Sequence, residues 1–124
     1  IDPSHFFWMQ MDANLVVRRL GDRIGYSHGK DVLFRAEKLA LNGLLDQRWP
    51  MPAEEMPWNF AVVGRGHDMA WWRKLLADLG AAGRVRIISI EHEDPFVAPE
   101  VGIPQAARLL AEAMGGVAKA RIDA

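Results

Sequence analysis

The 124-residue chain contains no cysteine. That absence excludes disulfide scaffolds, thiolate zinc sites and thiol nucleophiles. The chain also lacks a cationic excess. A net charge of −1 gives no basis for a phosphate-tracking surface, so nucleic acid is not expected as a partner. No apolar run approaches the roughly 18–20 residues that a membrane span requires, and no basic start with an apolar core marks a signal peptide. A membrane partner is therefore not expected, and the expected location is cytoplasmic.

What the chain does contain is an ordinary globular balance. Half of its residues are hydrophobic and a quarter are charged, enough for one domain with its own core. It opens at Ile1 and runs directly into Asp2-Pro3-Ser4-His5. That beginning is the one expected of a fragment, a processed product or a chain whose first part is missing.

Local patterns place the elements. Asp12 is a plausible N-cap for a helix with Leu15, Val16 and Leu20 at helical spacing, Arg18 and Arg19 in its last turn and Gly21 as its stop. Arg23 to His28 reads as a short strand containing Ile24 and Tyr26. A long connection from Lys30 to Phe60 carries a short helix around Phe34 to Leu41, then the turn Asn42-Gly43. Pro50, Pro52 and Pro57 make the rest irregular, and connections of this length are usually functional loops or lids. Asp68 reads as the N-cap of a helix with a broad apolar face of Trp71, Trp72, Leu75, Leu76 and Leu79. Val85 to Ile90 is dense in β-branched residues and reads as a strand. A last helix is expected over Pro104 to Met114, with Ala106, Leu109, Leu110 and Ala113 inward, followed by a frayed tail over 117–124. Strands alternating with helices imply about three βα units with parallel strands.

In α/β folds, functional groups gather where strands end and βα loops begin. That rule selects Asp2, His28 and Glu91. Parallel neighbours would bring an Asp, a His and a Glu to one rim, a mixed oxygen and nitrogen set suited to Mn²⁺, Mg²⁺, Co²⁺ or Zn²⁺. Each also has a structural alternative. An Asp before Pro-Ser commonly makes a turn or cap, and a histidine ending a strand is often a hydrogen-bonded structural residue. Glu91 follows a very apolar strand and precedes His92, Glu93 and Asp94, a charge cluster that a cation would balance.

Four motifs, Asp2-Pro3-Ser4-His5, His28-Gly29-Lys30-Asp31, Gly64-Arg65-Gly66-His67-Asp68 and Ser89-Ile90-Glu91-His92-Glu93-Asp94, occur in an order that resembles the sugar phosphate isomerase/epimerase family. This is the xylose-isomerase-like TIM-barrel superfamily, and the resemblance covers nearly the whole chain. It implies an α/β fold, the C-terminal part of a (β/α)8 barrel over residues 1–124, from the end of the sixth strand to the eighth helix. It also implies one divalent metal ion (Mn, Mg, Co or Zn) on a Glu, an Asp, a His and a second Glu. Asp2, His28 and Glu91 match the last three, and the first Glu would precede Ile1.

By the same resemblance His5 is expected to contact substrate hydroxyls. Lys30, Arg65 and His67 are further expected substrate-binding residues, against the alternatives of a rim salt bridge for Lys30 and a merely shape-giving glycine loop for the other two. Phe6-Phe7-Trp8 offers either an apolar wall for a sugar face or core packing. The implied reaction is isomerisation or epimerisation of a sugar, sugar phosphate or keto-sugar by proton transfer next to a carbonyl through an enediolate, with Glu91 as ligand and catalytic acid/base. The chain by itself is expected to be incomplete and inactive. Two other readings remain: a lyase cleaving 3-keto-glycosides, and a non-catalytic metal-binding or assembly subunit. A complete barrel needs about 250 residues, so the expected macromolecular partner is a missing N-terminal barrel half, or a second copy joined through exposed sheet edges.

Overall fold

The computed structural model describes residues 1–46 and 50–115. The expected frayed tail, 117–124, lies outside the described residues. Asp2 caps the first helix, α1 (Pro3–Trp8), with its side chain accepting the amide of Ser4, and Pro3 occupies the first turn where its missing N–H costs nothing. The aromatic stretch after Pro-Ser is thus helical. Helix α2 (Ala13–Leu20) starts at Asp12, whose carboxylate caps Leu15, and stops at Gly21, as the sequence predicts. Its buried face is Ala13, Asn14 and Val17, whereas Leu15 is exposed. The expected apolar trio is therefore not the packing face.

After a 3₁₀ turn at Gly21–Arg23 comes strand β1 (Ser27–Gly29), shorter than the predicted strand and shifted towards its end. Strand β2 (Asp31–Phe34) follows at once, then α3 (Ala36–Asn42), ended by Gly43. A second 3₁₀ turn, Ala53–Glu55, leads to β3 (Trp58–Ala61). The 13-residue helix α4 (Met69–Ala81) is capped by Asp68 through the amide of Trp71 and buries Trp72, Leu75 and Leu79. Strand β4 (Ile88–Ile90) is again shorter than predicted, because its ladder extends only as far as its three-residue partner. Helix α5 runs from Pro99 to Ala113 and begins earlier than expected. Pro99 is its first-turn proline, and Pro104 is carried inside the helix. Burial of Gly102, Ala106 and Leu110 on one face offsets the hydrogen bond lost at Pro104.

The architecture is mixed α/β. Strands β1 and β4 pair in parallel, with His28 opposite Ser89 and Gly29 opposite Ile90. Strands β2 and β3 form an antiparallel pair in which Val32 faces Phe60 and Phe34 faces Trp58. This second pair departs from the expectation of parallel strands alone. Ile1 is stitched alongside β1: its amino group donates to Tyr26 O at 2.8 Å and its carbonyl accepts from His28 N at 2.9 Å. Helix α4 packs between α2 and α5. The core gathers Phe7, Val17, Val32, Trp72, Leu75 and Leu110, with Phe60, Ile88 and Ile90 packed against it, so one apolar cluster joins α1, α2, α4 and α5 to strands of both pairs.

Candidate metal centre

Three adjacent backbone runs deliver the site. Asp2 directly follows Ile1, His28 lies within β1, and Glu91 directly follows β4, its amide donating to Gly29 O at 3.2 Å. His28 Nδ1 lies 3.3 Å from Asp2 Oδ2 and 3.2 Å from Glu91 Oε1. One ligand atom from each residue falls within 4.8 Å of the other two. Donor atoms bonded to one ion at about 2.1 Å are separated by about 3–4 Å, and carboxylate–imidazole–carboxylate is a donor set that divalent first-row ions accept. All three side chains are half-buried. The geometry and the donor chemistry both fit a divalent cation.

Each carboxylate has one oxygen tied down and one presented. Asp2 Oδ1 accepts from Ser4 N at 2.9 Å and from the buried Ser4 Oγ at 2.7 Å, leaving Oδ2 towards His28. The cap and the candidate ligand are thus the same residue using different atoms. Glu91 divides in the same way, with Oε1 towards His28 and Oε2 3.2 Å from Lys30 Nζ.

Lys30 is 3% exposed, and its ammonium also donates to Glu93 Oε1 at 2.8 Å and sits 4.0 Å above the Phe60 ring. Burial disfavours its charge, but hydrogen bonds and attraction from Glu93 and Glu91 outweigh that, and its pKa is raised above the usual lysine value. His5 is exposed on α1, with Nε2 3.8 Å from Asp2 Oδ2 and its ring edge-on to Phe60. It stands at the margin of the cluster.

Arg65 and His67 are engaged elsewhere. Arg65 pairs with the buried Asp94 at 3.3 Å. His67 stacks on Phe7 at 4.0 Å between ring centroids, tilts against Trp71, and its Nδ1 lies 2.7 Å from Asp31 Oδ1. Asp31 is fully buried. Its Oδ1 accepts the amide of Val32, and its Oδ2 accepts those of Gly64, Gly66 and His67. One carboxylate therefore shapes the whole Gly-Arg-Gly-His turn. Gly66 is required there, since a Cβ would run into the carbonyl of Val32.

An aromatic row borders the cluster, and sequence reasoning found only its first member, Trp8, and missed Trp58 and Phe60. Trp8 lies parallel to Trp58 at 5.8 Å, and Trp58 meets Phe60 edge-on at 5.5 Å. The alternation Trp58-Asn59-Phe60-Ala61 is a period-2 strand signal that would have placed both rings on one face.

No family model matches the chain. It is similar to a protein of Bacillus subtilis (strain 168) named "Uncharacterized protein YfiH", with 37% identity over 103 residues. The aligned region takes in 83% of this chain and 33% of that relative. The chain thus spans about a third of the length of the curated relative it matches.

Proposed function

We propose that this region is part of a divalent-metal-dependent sugar isomerase or epimerase, and that Asp2, His28 and Glu91 hold its metal ion. The carrying observation is that His28 Nδ1 lies within 3.3 Å of carboxylate oxygens from two separate chain segments. The ion would be Mn²⁺, Mg²⁺, Co²⁺ or Zn²⁺, and its contribution is to stabilise charge developing on a substrate carbonyl oxygen. Glu91 turns Oε1 towards the ion site, and its carboxylate is the acid/base group for the proton on the neighbouring carbon. His5, exposed beside Asp2, is positioned to meet substrate hydroxyls, and the Trp8, Trp58 and Phe60 rings offer apolar faces to a sugar ring.

In this reading the parallel pair β1–β4 is part of a (β/α)8 barrel, and further polypeptide supplies the remaining strands and a second acid/base carboxylate. Supporting this, β4 pairs with β1 alone among the described residues, and the similar protein is about three times as long as the matched region.

The test has two steps. The 124-residue chain is titrated with Mn²⁺, and His28→Ala is titrated beside it. Binding by the first that is lost in the second supports the site. A longer polypeptide carrying this region is then incubated in D₂O with free ketoses and with 3-keto-glycosides. Deuterium exchange next to a ketose carbonyl supports the isomerase reading, and cleavage of the glycoside would replace it with the lyase. Metal binding without exchange or cleavage would leave a non-catalytic metal-binding subunit.

A further inference from the structure

We propose that Lys30 is a positioning residue for Glu91, its buried ammonium holding Oε2 so that Oε1 alone is presented to the cation shared with Asp2 and His28. The inference rests on the metal reading above and adds a residue to it. Glu91 is 40% exposed, and a glutamate at such a position ordinarily samples several rotamers. The groups on its carboxylate are His28 Nδ1 at Oε1 and Lys30 Nζ at Oε2. Lys30 is the fixed partner of the two. Its side chain leaves the backbone immediately after β1, is 3% exposed, and lies under the face of Phe60.

Asp2 is handled in the same way by a different device. There Ser4, through N and Oγ, occupies Oδ1 and leaves Oδ2 for the site. Both carboxylates are therefore set to bind through one oxygen each. A carboxylate spanning a cation with both oxygens would take two coordination positions. With a single oxygen from each acid, more positions stay open for substrate oxygens. Lys30 thereby also decides which oxygen of Glu91 faces the ion. Direct binding of substrate by Lys30 fits the geometry less well, because both of its carboxylate partners would have to be displaced from a buried ammonium first. Partners of this kind, one shell behind the ligands, typically change metal affinity by about 10–100-fold when removed.

Mn²⁺ affinity measured by calorimetry, with the Mn²⁺ EPR signal as a second readout, tests the proposal on four variants of the 124-residue chain. Lys30→Met is expected to weaken Mn²⁺ binding about 10-fold or more. Placed on a Glu91→Gln background, the same change is expected to add less than about 2-fold, because its effect runs through Glu91. Glu93→Gln, at an exposed position, is expected to stay within about 3-fold of the wild type, since Lys30 still holds Glu91. Circular dichroism of the metal-free proteins checks that each variant is folded. If Lys30→Met does not fold, the Glu93→Gln comparison decides: a loss as large as that of Glu91→Gln overturns the proposal, and retained affinity supports it. Wild-type affinity in Lys30→Met, or a full additive loss in the double variant, overturns the role of Lys30 while leaving the metal site standing. A wild-type chain that binds no Mn²⁺ at millimolar concentration overturns the metal reading and this inference with it.

Discussion

His28 Nδ1 stands 3.3 Å from Asp2 Oδ2, although 26 residues separate the two in the chain. The approach follows from the stitching of Ile1 to Tyr26 and His28, which sets Asp2 at the level of the histidine. Asp2 has two tasks on two oxygens, and substitution can separate them. Asparagine caps a helix about as well as aspartate, whereas alanine forfeits about 1 kcal/mol. Asp2→Asn should therefore keep the wild-type melting temperature in EDTA, and Asp2→Ala should lower it. Both should lose the stabilisation that Mn²⁺ gives the wild-type chain, because both remove the anionic oxygen at the site. Thermal melts with and without Mn²⁺ check this, and a metal-induced shift surviving in Asp2→Asn would count against ligation by Asp2.

Asp31 is expected to matter for folding more than for metal binding. Its carboxylate accepts the amides of Val32, Gly64, Gly66 and His67 in a fully buried position. Leaving buried donors unsatisfied costs about 1–3 kcal/mol each, with partial relaxation in practice. Asp31→Ala should thus destabilise the chain by about 3–5 kcal/mol in urea unfolding. Gly66→Ala should be destabilising as well, through a backbone clash with Val32 that no rotamer relieves. Unfolding midpoints near wild type for both variants would refute the clamp.

Lys30 gives the chain a pH dependence of defined sign. Its pKa is raised in the folded state, since the Glu93 and Glu91 contacts outweigh burial. A raised lysine pKa means that the charged form favours folding. The contribution is fully present below the unfolded-state value of about 10.4 and disappears as pH rises through the higher folded value. Metal-free wild-type protein should therefore lose stability above about pH 10.4 more steeply than Lys30→Met. Denaturant unfolding at a series of alkaline pH values measures the difference, and parallel curves for the two proteins would contradict it.

Caps and strand ends were the legible parts of this sequence. Asp12 and Asp68 each begin a helix with the side-chain bond that their position predicts, and Asp2, His28 and Glu91 converge from the strand-end rule. Helix α1 was readable in principle, from a capping Asp followed by Pro, but its aromatic run resembles a loop or a wall equally well. The β2–β3 pair was not readable. Each strand has four residues, and their pairing joins segments separated by α3 and several prolines, a non-local contact that leaves little local signal. Helix α2 misled for another reason: Leu15 is more apolar than Ala13, but the close approach of α2 to α4 selects Ala13 and Val17 for burial. The partners of Lys30, Arg65 and His67 were also out of reach, because charge pairing across a rim depends on a register that only the assembled fold sets.

The open side of β4 carries the last expectation. Among the described residues β4 pairs only with β1, and beside it a groove between α4 and α5 is lined by Leu76, Ile88, Ile103 and Met114. Ile87, Ile103 and Met114 are all exposed. An unpaired strand edge next to apolar side chains recruits further polypeptide. Supplied alone, the 124-residue chain should therefore self-associate in a concentration-dependent way. A lysine at the strand entrance places a charge where an added strand would be buried, so Ile87→Lys should shift the population towards monomer while changing stability by less than about 0.5 kcal/mol, the usual limit for an exposed site. Sedimentation velocity over a range of concentrations reads the outcome. A wild-type chain that stays monomeric throughout would mean that the exposed edge does not recruit a second copy.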